Sequence, residues 1–227
     1  MSNILMSVKK IHKHYGRDPE RVHVLKSIDL DIEKGESVSI MGQSGSGKST
    51  LLTIMGGLNE PTEGALEIKN TNLYDLNHEK RAEFRQMNLG FVFQQFQLLS
   101  YLTAIENVML PLVTLKLTNK EKRFRAMKVL KRVGLEDKAH RLPNQLSGGE
   151  QERVAIARAI VNEPEIVLAD EPTGSLDTKT GDEIMNVFGE LNASGMTVIM
   201  VTHNPVYAKY FKRVITMKDG QLTNLGG

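Results

Sequence analysis

Two rhythms of apolar residues divide the chain. Over the first thirty-odd residues they alternate: Ile28, Leu30 and Ile32 share one side, Asp29, Asp31 and Glu33 the other. A period of two belongs to a strand with one wet face. Lys34-Gly35 then supplies a turn, and a second alternating piece, Leu66-Glu67-Ile68, follows Gly64. These pieces predict a small antiparallel sheet. Elsewhere the apolar runs are continuous. Ser37-Val38-Ser39-Ile40-Met41 is short and rich in β-branched residues, and Ile166-Val167-Leu168-Ala169 and Thr197-Val198-Ile199-Met200-Val201 are apolar throughout. The latter two runs predict strands of a parallel sheet covered on both faces. Val214-Ile215-Thr216-Met217 leads to Asp219-Gly220, a hairpin signal.

Between these strands the period lengthens to that of a helix. Leu51, Leu52, Ile54 and Met55 fall at helical spacing, with Gly56-Gly57 as a stop. Thr103-Ala104-Ile105-Glu106 and Thr118-Asn119-Lys120-Glu121 are capping boxes, each a Thr followed three residues later by Glu. After the second, Phe124, Met127, Leu130 and Val133 predict one apolar face before Gly134 ends the helix. A helical segment is therefore expected from about Gln95 to Val161, with Lys120, Lys122, Arg123, Lys128 and Lys131 on its solvated side. A further helix is expected near Thr178 to Leu191, closed by Gly195, and Asn204-Pro205 makes a cap and first helical position. With no repeat, low-complexity tract or long linker, residues 1–227 read as a single domain.

Composition adds bounds rather than detail. Of 227 residues 40% are hydrophobic and 25% charged, enough for a sizeable core. A net charge of +2 gives nucleic acid or an anionic membrane no electrostatic handle. The absence of cysteine excludes disulfides and thiolate metal sites and fits a reducing compartment. Met1-Ser2-Asn3-Ile4 lacks the features of a signal peptide, and no run approaches the roughly 18 apolar residues that cross a bilayer. The expectation is a cytosolic chain, held at a membrane by something else if it acts there.

The chemistry concentrates in Gly42-Gln43-Ser44-Gly45-Ser46-Gly47-Lys48-Ser49, followed by Thr50. Strand, glycine-rich loop and helix arrive in the order of a phosphate-binding loop. Its glycines let successive N–H groups converge on an anion, and the helix start adds the positive end of its dipole. Lys48 would neutralise the β- and γ-phosphates of a nucleotide, and the Ser49 hydroxyl would take a Mg²⁺ position. Asp170, ending an apolar strand, is placed to hold the same ion, and Glu171 beside it can accept a proton from an attacking water. His203 also ends a strand, where ligands of open α/β sheets bind, and is expected to touch the γ-phosphate. Leu146-Ser147-Gly148-Gly149-Glu150-Gln151 is a second anion cradle: Ser147 can cap a helix running through Val154, Ile156, Ala157 and Ile160. One chain has little use for two cradles around one triphosphate, but two chains placed head to tail could close both ends of each nucleotide.

Taken together, Gly42 to Ser49, Gln94, Leu146 to Gly149, Leu168 to Glu171, Ser175-Leu176-Asp177 and His203 resemble the ATP-binding subunit of an ABC transporter, over essentially the whole chain. The resemblance implies an α/β fold with a RecA-like P-loop NTPase core, an antiparallel β-subdomain and an inserted α-helical subdomain. It also implies ATP and Mg²⁺ as ligands and a head-to-tail homodimer enclosing two ATP. By position, Tyr15 is similar to the aromatic that stacks on adenine, though on its own it reads equally as a core-edge tyrosine. Gln94 is similar to the glutamine that reaches Mg²⁺ and the attacking water; Gln95 could exchange roles with it. Ser147, Gly148 and Gly149 would hold the γ-phosphate of the opposite copy's ATP, and Asp177 would lie at the dimer seam. Glu150 departs from the family pattern, where glutamine is commoner, which argues against a direct phosphate contact from that position.

The wording around Gly90 to Phe96, Glu106 to Val108, Leu110 to Leu112 and Asp170 to Gly174 is most similar to ATPases for lipoprotein release, macrolide efflux and antimicrobial-peptide resistance. That implies a transmembrane permease partner with an extracytoplasmic domain and a place at the cytoplasmic face of the membrane. Amino-acid importers and cell-division regulators share much of the pattern. Non-transport ABC ATPases carry long coiled coils or paired ATPase domains, which this chain lacks.

Overall fold

The computed structural model describes residues 3–17 and 19–223; Met1 and Ser2 of the N-terminal stretch lie outside them. In chain order the strands are β1 (Ile4–Tyr15), β2 (Val22–Glu33), β3 (Ser37–Met41), β4 (Glu63–Ile68), β5 (Thr71–Asn72), β6 (Leu89–Val92), β7 (Ile166–Asp170), β8 (Thr197–Thr202), β9 (Arg213–Lys218) and β10 (Gln221–Thr223). The α-helices are α1 (Lys48–Met55), α2 (His78–Asn88), α3 (Ala104–Met109), α4 (Asn119–Arg132), α5 (Gly148–Ile160), α6 (Thr178–Ala193) and α7 (Pro205–Ala208).

The alternating stretches pair as an antiparallel sheet in the order β2-β1-β4-β5, with Ile28, Leu30 and Ile32 buried and Asp29, Asp31 and Glu33 exposed. The continuous runs form a second sheet, β10-β9-β3-β8-β7-β6, parallel except for β10. Its strands are covered on both faces, and alternate residues serve two cores. Val167, Ala169, Val198 and Met200 pack with α3 to α6, while Val38, Ile40, Leu168 and Ile199 pack with α1 and the antiparallel sheet. Fully burying one such side chain is worth roughly 2 kcal/mol. A one-residue slip of a strand would exchange the two sets, so register is strongly held.

The capping boxes at Thr103 and Thr118 both form, each Thr accepting from the N–H of the Glu three residues on. The first helix after β6 therefore opens at Ala104, and residues 93–103 run as turns and coil. Phe124 does not join an apolar face: it is 72% exposed, and α4 instead buries Ala126, Val129 and Leu130. Two residues before Ala126, Phe124 is rotated about 200° from it, on the wet side. Helix α2 has no apolar stripe to announce it. Its one buried residue, Arg81, pairs with Glu60 and covers the ring of Tyr74 at 5.0 Å. No helix among the described residues is long and apolar enough to cross a membrane.

Where β1 runs into the turn before β2, three imidazoles stack. His14 and His23 are cross-strand partners with ring centroids 4.0 Å apart, and His12 Nδ1 lies 3.1 Å from His23 Nε2. Burial, then the charges of Arg21 and His23, hold His14 below the ordinary histidine value, with Glu63 opposing. The folded state therefore takes up this proton less readily than the unfolded chain. The resulting stability is present above the unfolded value of 6.5 and is lost as pH falls below it. Calorimetric melting temperatures should drop between pH 7.5 and 5.5, and His14→Gln should flatten that slope; an unchanged slope would place the sensitivity elsewhere.

Candidate active site

Adjacent parallel strands deliver their following loops to one edge of the sheet. Met41 pairs with Thr202 and Asp170 with Val201, so Gly42, His203 and Glu171 leave the sheet side by side. Val92 pairs with Ala169, and Gln94 follows it onto the same edge.

The glycine-rich loop is pressed against its surroundings. A Cβ on Gly42 would lie 2.3 Å from the Met217 carbonyl oxygen. Gly47, at φ +102°, has Leu25 and Met217 side chains 3.0 Å from where a Cβ would stand. Gly220 N–H, in the β9–β10 turn, donates to Ser46 O at 3.1 Å. The loop opens directly into α1, whose first backbone bond runs from Leu51 N to Gly47 O at 2.9 Å. The N–H groups of that first turn are left for an anion at the positive helix end. The Ser46 hydroxyl is buried without a partner among the described residues, an orphan donor in the same cradle.

Lys48 is only 4% exposed, and a buried ammonium needs acceptors. It donates to Gly42 O at 2.8 Å and Gln43 O at 2.9 Å and lies 3.8 Å from Glu171 Oε1. Ser49 Oγ donates to Asp170 Oδ1 at 2.9 Å. Burial raises the Asp170 carboxyl above its ordinary value and Glu171 adds to that, while the Ser49 hydroxyl and Lys48 oppose it. A desolvated carboxylate beside a hydroxyl offers the hard oxygen ligands Mg²⁺ prefers, so the donor set fits that ion. Glu171 Oε2 lies 2.7 Å from His203 Nδ1, which leaves Nε2 of His203 free to meet a ligand. Glu171 itself has φ +45°, an uncommon conformation for a non-glycine residue, fixed by bonds from Glu171 N to Val201 O and from Gly174 N to Glu171 O, both 3.0 Å.

A cavity of about 1320 Å³ is lined by Gly42 to Thr50, Gln94, Glu171 and His203. Gln94, and not Gln95, lines it. Tyr15 is outside that lining, at the end of β1, where its hydroxyl bonds Asn59 and Lys13 stands 5.0 Å from its ring centroid. Val24, Met41, Pro205, Thr216, Met217, Lys218 and Asp219 complete the wall, and no local sequence signal ties the last four to the site. The Asp219-Gly220 turn was legible, but its packing on the loop depends on the β9–β3 pairing.

Ser147, Gly148, Gly149 and Asp177 gather elsewhere. Ser147 caps α5, and Asp177 caps α6 by accepting from Thr180 N at 3.0 Å and from its hydroxyl at 2.7 Å. Those bonds hold the Asp177 carboxyl below its ordinary value. Thr180 Cγ2 stands 2.3 Å from where a Gly149 Cβ would be, and Leu176 Cδ2 3.3 Å from one on Gly148. Glycines at the start of α5 thus let α6 close on it. None of these residues lines the Lys48 cavity.

The family model for ABC transporters matches residues 25–174. The chain belongs to the ABC transporter family. Among ABC relatives, the uncharacterized ATP-binding protein YknY of Bacillus subtilis is 48% identical over 96% of this chain and 95% of its own length. The macrolide export ATP-binding/permease protein MacB of Aggregatibacter actinomycetemcomitans is 45% identical over 96% of this chain, which spans 34% of that protein. A dimeric structure of the ATP-binding cassette MJ0796, in a post-hydrolysis state with ADP and Pi, superposes with a TM-score of 0.89 at 46% identity, covering 98% of this chain and 99% of that one. In this ABC chain, Gly42→Ala forces the loop away from Met217. ATP affinity should fall about tenfold or more with the far-UV circular dichroism retained, since each ~1.4 kcal/mol of lost phosphate contact is tenfold in affinity; unaltered affinity would mean that the contact is dispensable.

Proposed function

We propose that this ABC ATPase is the energy-coupling subunit of a membrane complex and works as a head-to-tail pair enclosing two ATP molecules. The observation that carries the reading is the separation of the two anion cradles, one around Lys48 and one around Ser147, on different elements of one chain. Dimeric MJ0796 with ADP and Pi supports it by likeness.

In each composite site, Lys48 and the Gly42 to Thr50 loop grip the phosphates, and Tyr15 packs against adenine. Ser147, Gly148 and Gly149 of the second copy cap the γ-phosphate, with Asp177 at the seam between copies. Ser49, Asp170 and Gln94 would hold Mg²⁺, which when bound would supply positive charge against the phosphates. Glu171 takes the proton of the attacking water. His203, oriented by Glu171, contacts the γ-phosphate through Nε2, so loss of that phosphate is felt at the end of β8.

The output goes to a transmembrane permease with an extracytoplasmic domain, at the cytoplasmic face of the membrane, in export or mechanotransmission. A relative that joins ATP-binding and permease parts in one chain supports this. So do Met87, Leu99, Tyr101 and Val113, exposed apolar residues around the end of α2 and the approach to α3 and α4. Gln86 bonds Pro111 O and Thr114, so two of these stretches meet. That surface suits an apolar segment of the permease.

Glu171→Gln should bind ATP, hydrolyse it at least a hundredfold more slowly, and accumulate as an ATP-bound dimer in sedimentation velocity; unchanged turnover would remove Glu171 from its role. Ser147→Arg should spare ATP binding and abolish cooperative hydrolysis, whereas loss of binding would contradict a shared site. Purification of the chain from its own membranes should bring down a multi-span protein with a large external domain; an amino-acid-binding partner would favour import instead.

A further inference from the structure

Glu150 places an acid one helical turn from the hydroxyl and N–H groups that, on the reading above, receive phosphate from the other copy. The carboxylate is engaged within the chain instead. Its Oε2 accepts from Ser147 N at 2.8 Å, and Glu150 N donates to Ser147 Oγ at 3.3 Å, which leaves the Ser147 O–H free to donate outward. Oε1 pairs with the ammonium of Lys138.

Lys138 reaches Glu150 from the short turn Glu136–Lys138 that follows α4, and this turn is anchored. Lys138 O accepts from Arg141 N at 3.0 Å, Ala139 O from Ile105 N at 2.9 Å, and Arg141 O from Ala104 N at 2.8 Å. The two side chains are 27% and 14% exposed, so solvent screens the pair less than a surface ion pair. Lys138 is the foremost cause of the Glu150 carboxyl lying below its ordinary value, with the Ser147 bonds adding to it and burial opposing.

We propose that Lys138 is a positioning residue of the shared site. It neutralises Glu150 and keeps the carboxylate folded back on Ser147 N–H, so the polyanion of the opposite copy meets donors with no competing negative charge. Without Lys138 the carboxylate is unpaired and repels that polyanion. The inference rests on the composite-site reading, since a chain that never pairs presents Ser147 to nothing.

A test that separates the two uses the full chain carrying Glu171→Gln and measures the ATP concentration at which half of it is dimeric, by sedimentation velocity, alongside ATP affinity of the dilute monomer. Adding Lys138→Met should raise the half-dimer concentration by about tenfold, the scale of one uncompensated charge in a partly screened site, and leave monomer affinity unchanged. Adding Glu150→Gln as well should restore it, because Gln completes the capping box without a charge. Glu150→Gln with Lys138 intact should dimerise at the same or a lower ATP concentration, an arm that does not depend on the Lys138 variant folding.

A double variant as weak as Lys138→Met alone would reduce Lys138 to a structural contact and overturn the proposal. So would a rise with Glu150→Gln alone, or no effect of Lys138→Met. If the Glu171→Gln parent itself fails to dimerise with ATP, the composite-site reading falls and this inference falls with it.

Discussion

A buried ammonium organises this molecule. Lys48 is almost fully withdrawn from water, and a charge so placed is tolerable only with acceptors around it. Two come from its own loop, Gly42 O and Gln43 O, and the third is Glu171 in the loop after β7. Meeting that demand draws the loop after β3 and the loop after β7 together across β8. The same requirement explains why Gly42 has no side chain: the loop must close on β9 tightly enough for a Cβ to strike Met217 O. This knot of charge is one that folding itself has to satisfy.

That knot is close to balance and poised. Lys48 faces Glu171, Asp170 is lifted by burial and by its neighbouring acid, and Glu171 is shared with His203. Glu171 also carries a positive φ, which costs on the order of 1 kcal/mol for a non-glycine residue. Strain of that size persists only where neighbours impose it, and here the bonds to Val201 and Gly174 do so. At the start of α5 the acid Glu150 is paired with a lysine brought from another turn. In both places a charge within the local stretch is paired by a side chain from outside it, Glu171 for Lys48 and Lys138 for Glu150.

Much of this was legible from residue order. The glycine loop, the two-sided strands and the three Ser/Thr caps are local features, each decided by a few neighbouring residues, and the structure has them. Other features depend on contacts distant in sequence. Helix α2 is mostly polar, with only Phe84 half-buried against the core and Arg81 held by Glu60 and Tyr74, so no periodicity betrays it. Leu130, Val133 and Met127 of the expected apolar spacing do pack, but Ala126 and Val129 complete the buried stripe and Phe124 is left exposed. The cavity wall from Thr216 to Asp219 needs the β9–β3 pairing before it has any meaning. The choice between Gln94 and Gln95 needed the course of the chain beyond Val92. Lys138 reads as one solvated lysine among many until Glu150 is found beside it.

The loop that holds Gln94 is tied to the helix that begins at Ser147. Phe96 and Gln97 both have positive φ, and Arg158 of α5 donates to their carbonyls at 2.7 and 2.5 Å. On the same helix Glu152 is fully buried, and neither of its oxygens has a partner among the described residues. Burial raises its carboxyl well above the ordinary range and lowers Arg158, each opposed by the charge of the other. Two strained residues and a desolvated acid are a poor arrangement for stability alone. Arg158 offsets part of that cost, because its two charge-assisted bonds hold α5 and the Gln94 turn together.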